Sequence, residues 1–176
     1  MTPPHPQGSV NHSAVCKYPE FLLSRCTFVT LLLSCFLMKF VVAAVIERAD
    51  RRLLIGQRRR GDTSPLKWEF PGGKVHDGES LEAALARELQ EELGITLTKS
   101  IPIGSVKHQY SNTLEPFEIR FFAAQYAETE IRPRVFEQIA WVLPKELTQY
   151  DFLAANRELI AQLATGRIKP GEMLSE

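Results

Sequence analysis

The chain has 176 residues, of which 44% are hydrophobic and 24% charged, with 21 basic against 21 acidic side chains. That composition excludes disorder throughout, a collagen-like chain and a coiled coil, and it suits a single globular domain with room for a tail. The balanced charge leaves no strong global field to favour a nucleic-acid polymer or a membrane surface. All three cysteines, Cys16, Cys26 and Cys35, fall within the first 37 residues. An odd number without paired spacing gives neither a disulfide framework nor a zinc site.

Residues 1–20 are rich in Pro, His, Asn and Ser, lack a period, and read as disordered. Cys26 to Met38 form an uncharged run behind Lys17 and Arg25, shaped like the core of a signal peptide. It is short of the ~20 residues that span a bilayer, although reading through Lys39 to Ile46 approaches that length. Three origins stay open for 1–37: an extension ahead of a true start at Met38, a membrane anchor, or a cleaved signal. The first is favoured, because FVVAAVI (40–46), a charged turn and LLIG read as a strand pair that cleavage would break. The expected organisation is an extension over 1–37, a domain over 38–165 and a loose tail over 166–176.

From there the patterning predicts strands at 40–47 and 52–57, a polar loop, and a short strand at Trp68–Phe70. A tight Pro71-Gly72-Gly73 turn and a loop lead into a helix over Leu81–Leu93. Strands follow at 101–110, 117–126 and 137–143, then a helical turn at 144–149 and a closing helix at about 154–164. Strands interleaved with two packed helices predict an α/β fold, an α/β/α sandwich around a mixed sheet.

The helix carries clear signals. Ser80 can cap it, Glu82 sits in its positive first turn, and Gly94 supplies the stop. Leu81, Leu85, Leu89 and Leu93 make the buried stripe. Glu88, Glu91 and Glu92 cluster on a neighbouring face, where like charges destabilise a helix unless a cation compensates.

From Gly73 the chain reads GKVHDGESLEAALARELQEELGI. This is similar in full to the Nudix box, at Gly73, Glu79, Arg87, Glu88, Leu89, Glu91, Glu92, Gly94 and Ile95. From average composition, a chance match is on the order of one in 10⁸ per chain. Hard carboxylate oxygens clustered on a rigid helix suit Mg²⁺, with Mn²⁺ as a substitute. Arg87 is better placed to hold Glu79 or Glu88 than to touch substrate. The resemblance implies metal ligation by the Gly72 carbonyl, Glu88, Glu91 and Glu92, with Gly73, Glu79 and Gly94 serving the shape of the box.

WEFPGGK (68–74) ahead of the box resembles the MutT branch of that family. By that resemblance Arg58 contacts phosphate and Glu137 reaches the metal cluster from a loop, while Lys74, beside the two glycines, is placed to screen phosphate charge. The general base is then Glu137 or Glu88, and the residues leave the choice open. DFLAANRELIAQL (151–163) places Asn156 where the branch reads an oxidised guanine, with Phe152 in the pocket wall. An amide supplies the donor and acceptor that a purine edge needs. The competing reading makes Asn156 a helix cap. Leu153 and Ala154 depart from the prolines usual there, which removes a source of rigidity.

The resemblance implies hydrolysis of a nucleoside triphosphate to monophosphate and pyrophosphate. The expected substrate is 8-oxo-dGTP, and the expected role is sanitation of the nucleotide pool, which is DNA repair by mutation avoidance. The alternative is a pyrophosphohydrolase for CTP, methylated cytosine nucleotides or other (d)NTPs. A membrane-tethered or nucleotide-sensing module is the reading from another class. A cytoplasmic monomer is expected, with no nucleic-acid polymer or membrane as partner.

Overall fold

The computed structural model describes residues 39–109, 116–127 and 130–175. The expectations for residues 1–37 lie outside these. Among the described residues the strands are β1 (Lys39–Ile46), β2 (Leu53–Gln57), β3 (Trp68–Glu69), β4 (Gly72–Lys74), β5 (Leu97–His108), β6 (Phe117–Tyr126) and β7 (Gln138–Val142). The helices are α1 (Leu81–Leu93), α2 (Arg157–Ala164) and α3 (Pro170–Leu174), with 3₁₀ turns at Pro144–Gln149 and Ala154–Asn156.

The strands form a mixed four-stranded sheet in the order β4-β1-β6-β5 and a smaller antiparallel sheet in the order β3-β2-β7. In the larger sheet β1 runs parallel to β6, while β4 and β5 pair antiparallel at its two edges. Alternation along β1 explains the layering. Val42, Ala44 and Ile46 face α1 and pack with Leu85, Leu89 and Leu93. Ala43 and Val45 face the other way, toward Leu159, Ile160 and Leu163 of α2. Each valine, leucine or isoleucine so buried contributes roughly 1.5–3 kcal/mol relative to exposure. The two helical layers on opposite faces are the sandwich the patterning predicts, with the antiparallel sheet as a second element it does not show.

Three segments differ from the sequence reading. Pro71-Gly72-Gly73 is not only a turn, because Gly72–Lys74 adds a strand to β1, with Ala43 opposite Gly72 and Val41 opposite Lys74. β5 begins at Leu97 rather than 101, since Leu97, Lys99 and Ser100 pair with β6 around a register shift at Thr98, without the apolar alternation that burial imposes. The stretch expected to be a loose tail carries α3, with Leu174 5% exposed. Its fastening is polar: buried Glu47 accepts from the Gly171 N–H at 2.9 Å, and Lys99 donates to the Leu174 carbonyl at 2.7 Å. No helix among the described residues is long and apolar enough to cross a membrane.

Candidate active site

Helix α1 is defined by its ends. The Ser80 hydroxyl accepts from the Ala83 N–H at 3.1 Å, a cap contributing about 1 kcal/mol. Gly94 closes the helix at φ 71°, in the left-handed region that favours glycine. With Leu85, Leu89 and Leu93 facing the core, the 3.6-residue period turns Glu88, Glu91 and Glu92 toward β4 and solvent.

The two glycines of β4 serve different neighbours: Gly73 lets the helix approach, and Gly72 lies close against the β1 backbone. A Cβ on Gly73 would lie 2.3 Å from the Glu88 carboxyl carbon, and one on Gly72 would lie 2.1 Å from the Val42 carbonyl oxygen. Gly72 also holds φ 147°, which side-chain-bearing residues rarely adopt. Its N–H donates to Glu92 Oε2 at 2.9 Å. Burial pushes the Glu92 carboxyl up to about 8, against that hydrogen bond and with help from the charges of Glu69 and Glu88.

Arg87 occupies the centre of the acidic face. It donates through Nε to Glu79 Oε1 at 2.9 Å, through Nη1 to Glu88 Oε1 at 2.8 Å, and through Nη2 to the Lys74 carbonyl at 2.9 Å. Its hydrogen bond to Glu79, aided by the His76 N–H, holds that carboxyl down at about 2. The guanidinium thus meets Glu79, Glu88 and, at 3.4 Å, Glu91.

Beyond β4 opens a cavity of about 490 Å³, lined by Gly72, Gly73 and Lys74 together with Arg58, Glu69, Phe70, Leu153 and Asn156. Arg58 donates from Nη1 to Glu69 Oε1 at 2.9 Å and from Nε to the Thr63 carbonyl at 2.8 Å. Burial raises the Glu69 carboxyl above its ordinary value, opposed by Arg58. Asn156 is 4% exposed and sits at the N-cap of α2, yet its side chain makes no cap hydrogen bond. The capping reading therefore does not hold, and the amide faces a cavity instead of a helix end.

Phe152 stands apart from its expected place in the pocket wall. Phe152 does not line the cavity; its ring packs behind the wall on Phe70, 5.6 Å between centroids, and Leu153 and Ala155 line it instead. The physical reason is a bridge pairing Phe152 with Trp68, which turns Leu153 inward. The expected ligands Glu88, Glu91, Glu92 and Glu137 each keep a protein partner, around the Gly72 backbone. Among the described residues, no three acidic or histidine side chains stand close enough to share an ion. Like charges separate onto different partners: Glu88 onto Arg87, Glu92 onto the Gly72 N–H, and Glu137 toward Arg60 Nε at 3.7 Å. Glu91, 59% exposed, keeps only a contact of 3.4 Å to Arg87.

The missing prolines are compensated. The Trp68 N–H donates to the Asp151 carbonyl at 2.9 Å, and the Leu153 N–H donates to the Trp68 carbonyl at 3.0 Å. Lys67 pairs with Asp151 at 2.5 Å, and Trp68 meets Tyr150 edge-on at 5.0 Å. Sequence reasoning missed Glu69 altogether. Its signal was a charged residue between two large aromatics in a short strand, where burial demands a partner.

A NUDIX domain profile matches residues 38–173. A putative 8-oxo-dGTP diphosphatase 2 of Mycobacterium tuberculosis is 35% identical over 133 residues, covering 73% of this chain and 89% of that protein. A CTP pyrophosphohydrolase of Escherichia coli K12 is 32% identical over 133 residues, covering 75% and 96%. A solved MutT NUDIX hydrolase from Burkholderia pseudomallei superposes with a TM-score of 0.63 at 29% identity, covering 70% and 96%.

Proposed function

The chain belongs to the NUDIX domain family, as a Nudix hydrolase, and we propose that it hydrolyses nucleoside triphosphates to monophosphate and pyrophosphate with 8-oxo-dGTP as substrate. The observation that carries the substrate is Asn156, a buried amide without a cap bond in a cavity that Arg58 and Lys74 also line. Its donor and acceptor suit the paired N–H and carbonyl of an oxidised purine edge. The similarity to the M. tuberculosis relative supports the same substrate.

In this reading Lys74 and the free side of Arg58 meet the phosphates at one end of the cavity, and Asn156 meets the base at the other. Water attacks the β-phosphorus, and the bond from that phosphorus to the α-bridging oxygen breaks, so monophosphate leaves. Glu137 or Glu88 takes the proton from the water. Glu69 keeps Arg58 aimed along the cavity wall, and Arg87 keeps Glu88 and Glu79 in place.

The donor chemistry fits Mg²⁺ or Mn²⁺. Hard carboxylate oxygens meet a glycine backbone, and Gly73 leaves open the approach that a Cβ would block. Glu88, Glu91, Glu92 and the Gly72 carbonyl would hold the ion, with Glu137 joining from its loop. When bound, such an ion neutralises phosphate charge and lowers the pKa of a bound water.

The comparable similarity to the E. coli CTP pyrophosphohydrolase favours cytosine triphosphates as the second reading. Steady-state kinetics with 8-oxo-dGTP, dGTP, CTP and 5-methyl-dCTP, each with Mg²⁺, separates the two. The expected outcome is the highest kcat/KM for 8-oxo-dGTP. Equal kcat/KM for dGTP and 8-oxo-dGTP would overturn the substrate assignment.

A further inference from the structure

The last turn of α1 carries no basic residue of its own. Its open carbonyls and the negative end of the helix dipole therefore call for donors from elsewhere in the chain. The segment ahead of β7 supplies them. The Arg132 N–H donates to the Leu93 carbonyl at 2.8 Å, and the Arg134 N–H donates to the Glu92 carbonyl at 2.8 Å. The Arg134 side chain adds a third bond, Nη1 to the Gln90 carbonyl at 3.2 Å. Its guanidinium lies so near the helix stop that a Cβ on Gly94 would come within 3.1 Å of Nη2.

Arg134 is also held from behind. Arg59 Nη2 donates to the Arg134 carbonyl. A few residues on, the Glu137 N–H donates to the Gln57 carbonyl at 2.8 Å. Three stretches thus meet at one arginine: the turn carrying Glu91 and Glu92, the loop delivering Glu137, and the segment 57–60 carrying Arg58. Neither Arg59 nor Arg134 lines the substrate cavity.

We infer that Arg134 is a positioning residue, which with Arg59 straps the end of the metal-side helix to the Glu137 loop and the Arg58 segment. This rests on the functional reading above for those four side chains. The strap fixes where the carboxylates stand relative to the phosphate-side arginine. Displacing such a constellation by about 1 Å can cost as much as ~10²-fold in rate without contact to the substrate. Arg132 provides an internal control, because among the described residues its side chain pairs with Glu130 alone, at 3.0 Å, two residues away.

The test uses the full chain and the variants Arg134→Ala, Arg134→Lys, Arg59→Ala and Arg132→Ala, with hydrogen exchange and kinetics measured well below the melting transition. Arg134→Ala is expected to speed exchange together at 91–95 and 134–137, since their bonds share one anchor. It is expected to lower kcat about 10-fold, leave KM for the nucleotide within about 2-fold, and raise the Mg²⁺ needed for half-maximal rate. Arg59→Ala should do the same more weakly, Arg134→Lys should recover part of kcat, and Arg132→Ala should match wild type. Exchange in Arg134→Ala equal to that in Arg132→Ala would overturn the strap. Faster exchange with unchanged kcat and Mg²⁺ dependence would overturn its positioning role. If the wild type turns over no triphosphate, the functional reading fails and exchange alone decides the strap.

Discussion

Glu79 and Arg87 are joined by two parallel hydrogen bonds, Nε to Oε1 at 2.9 Å and Nη2 to Oε2 at 3.0 Å. The pair ties the loop after β4 to the middle of α1, and the same guanidinium reaches Glu88. Its carboxyl is held at about 2, below the ordinary 4.5, chiefly by Arg87. A depressed acid contributes stability that is fully present above its unfolded pKa and is lost as pH falls through its folded one. Comparing wild type with Glu79→Gln, the stability difference should be constant above about pH 5 and shrink steadily toward pH 2. Denaturant unfolding of both proteins across that range measures it. A difference that does not vary with pH would remove Glu79 as the group responsible.

Glu91 and Glu92 are adjacent in sequence and opposite in environment. Glu91 is exposed and needs only its contact to Arg87, so Glu91→Gln should leave unfolding within about 0.5 kcal/mol of wild type. Its kcat with Mg²⁺ should fall by about 10²-fold or more, because the proposed ion site loses a charge. Glu92 is driven toward its neutral form by burial. Glu92→Gln keeps an acceptor for the Gly72 N–H and removes the burden of a buried charge. Metal-free protein carrying it should be more stable by about 1 kcal/mol while activity disappears. Thermal melts without metal and turnover with it give both readings. A destabilised, active Glu92→Gln would contradict the assignment.

The adjacent glycines of β4 separate backbone strain from a side-chain clash. At Gly73 the intruding Cβ meets the end of the flexible Glu88 side chain. Gly73→Ala should therefore fold, with kcat reduced because Glu88 is pushed aside. At Gly72 the clash is with the Val42 backbone, and φ 147° adds strain. Gly72→Ala should lose about 2–4 kcal/mol of stability. Urea titration and kcat on the two variants should give opposite patterns: an intact fold with low activity, and a damaged fold.

The elements most legible in the sequence are those whose burial writes a period. Leu85, Leu89 and Leu93 report α1, and the run 40–46 reports β1, since both face a core on a fixed repeat. The box residues are legible for a different reason, because their spacing is set by chemistry on one helix. What escaped lies where backbone pairing replaces side-chain burial. β4 is two glycines and a lysine, and the start of β5 is exposed Thr98 and Lys99 followed by half-buried Ser100, so neither carries a hydrophobic signal. Glu69 and Arg134 were invisible because their partners, Arg58 and the end of α1, are brought to them only by the fold.

Asn156 offers the most direct test of the proposed substrate. Its amide is buried at the cavity wall, so removing it strands whatever edge it meets. Asn156→Ala should lower kcat/KM for 8-oxo-dGTP by about 10–100-fold, the range expected for one lost buried hydrogen-bonding group. Because the side chain caps nothing, the melting temperature should barely move. The loss for CTP should be several-fold smaller if the site is shaped for a purine. An equal loss for both nucleotides would make Asn156 a general wall residue.

Leu153 tests whether a backbone bridge has taken over the role of the missing prolines. Its N–H donates to the Trp68 carbonyl at 3.0 Å, and proline has no N–H to give. Leu153→Pro, which restores the residue usual in the branch, should therefore weaken this chain rather than stiffen it. The expected cost is about 1–3 kcal/mol, from the stranded carbonyl of buried Trp68 and the side chain lost from the wall. Leu153→Ala keeps the N–H and should cost less, which isolates the bridge from the side chain. With the segment loosened, Asn156 loses its fixed position, so KM for 8-oxo-dGTP should rise more in the proline variant than in the alanine variant. Equal or greater stability in Leu153→Pro would show that rigidity at 153 comes from proline in this chain as well, and that the Trp68 bridge contributes nothing.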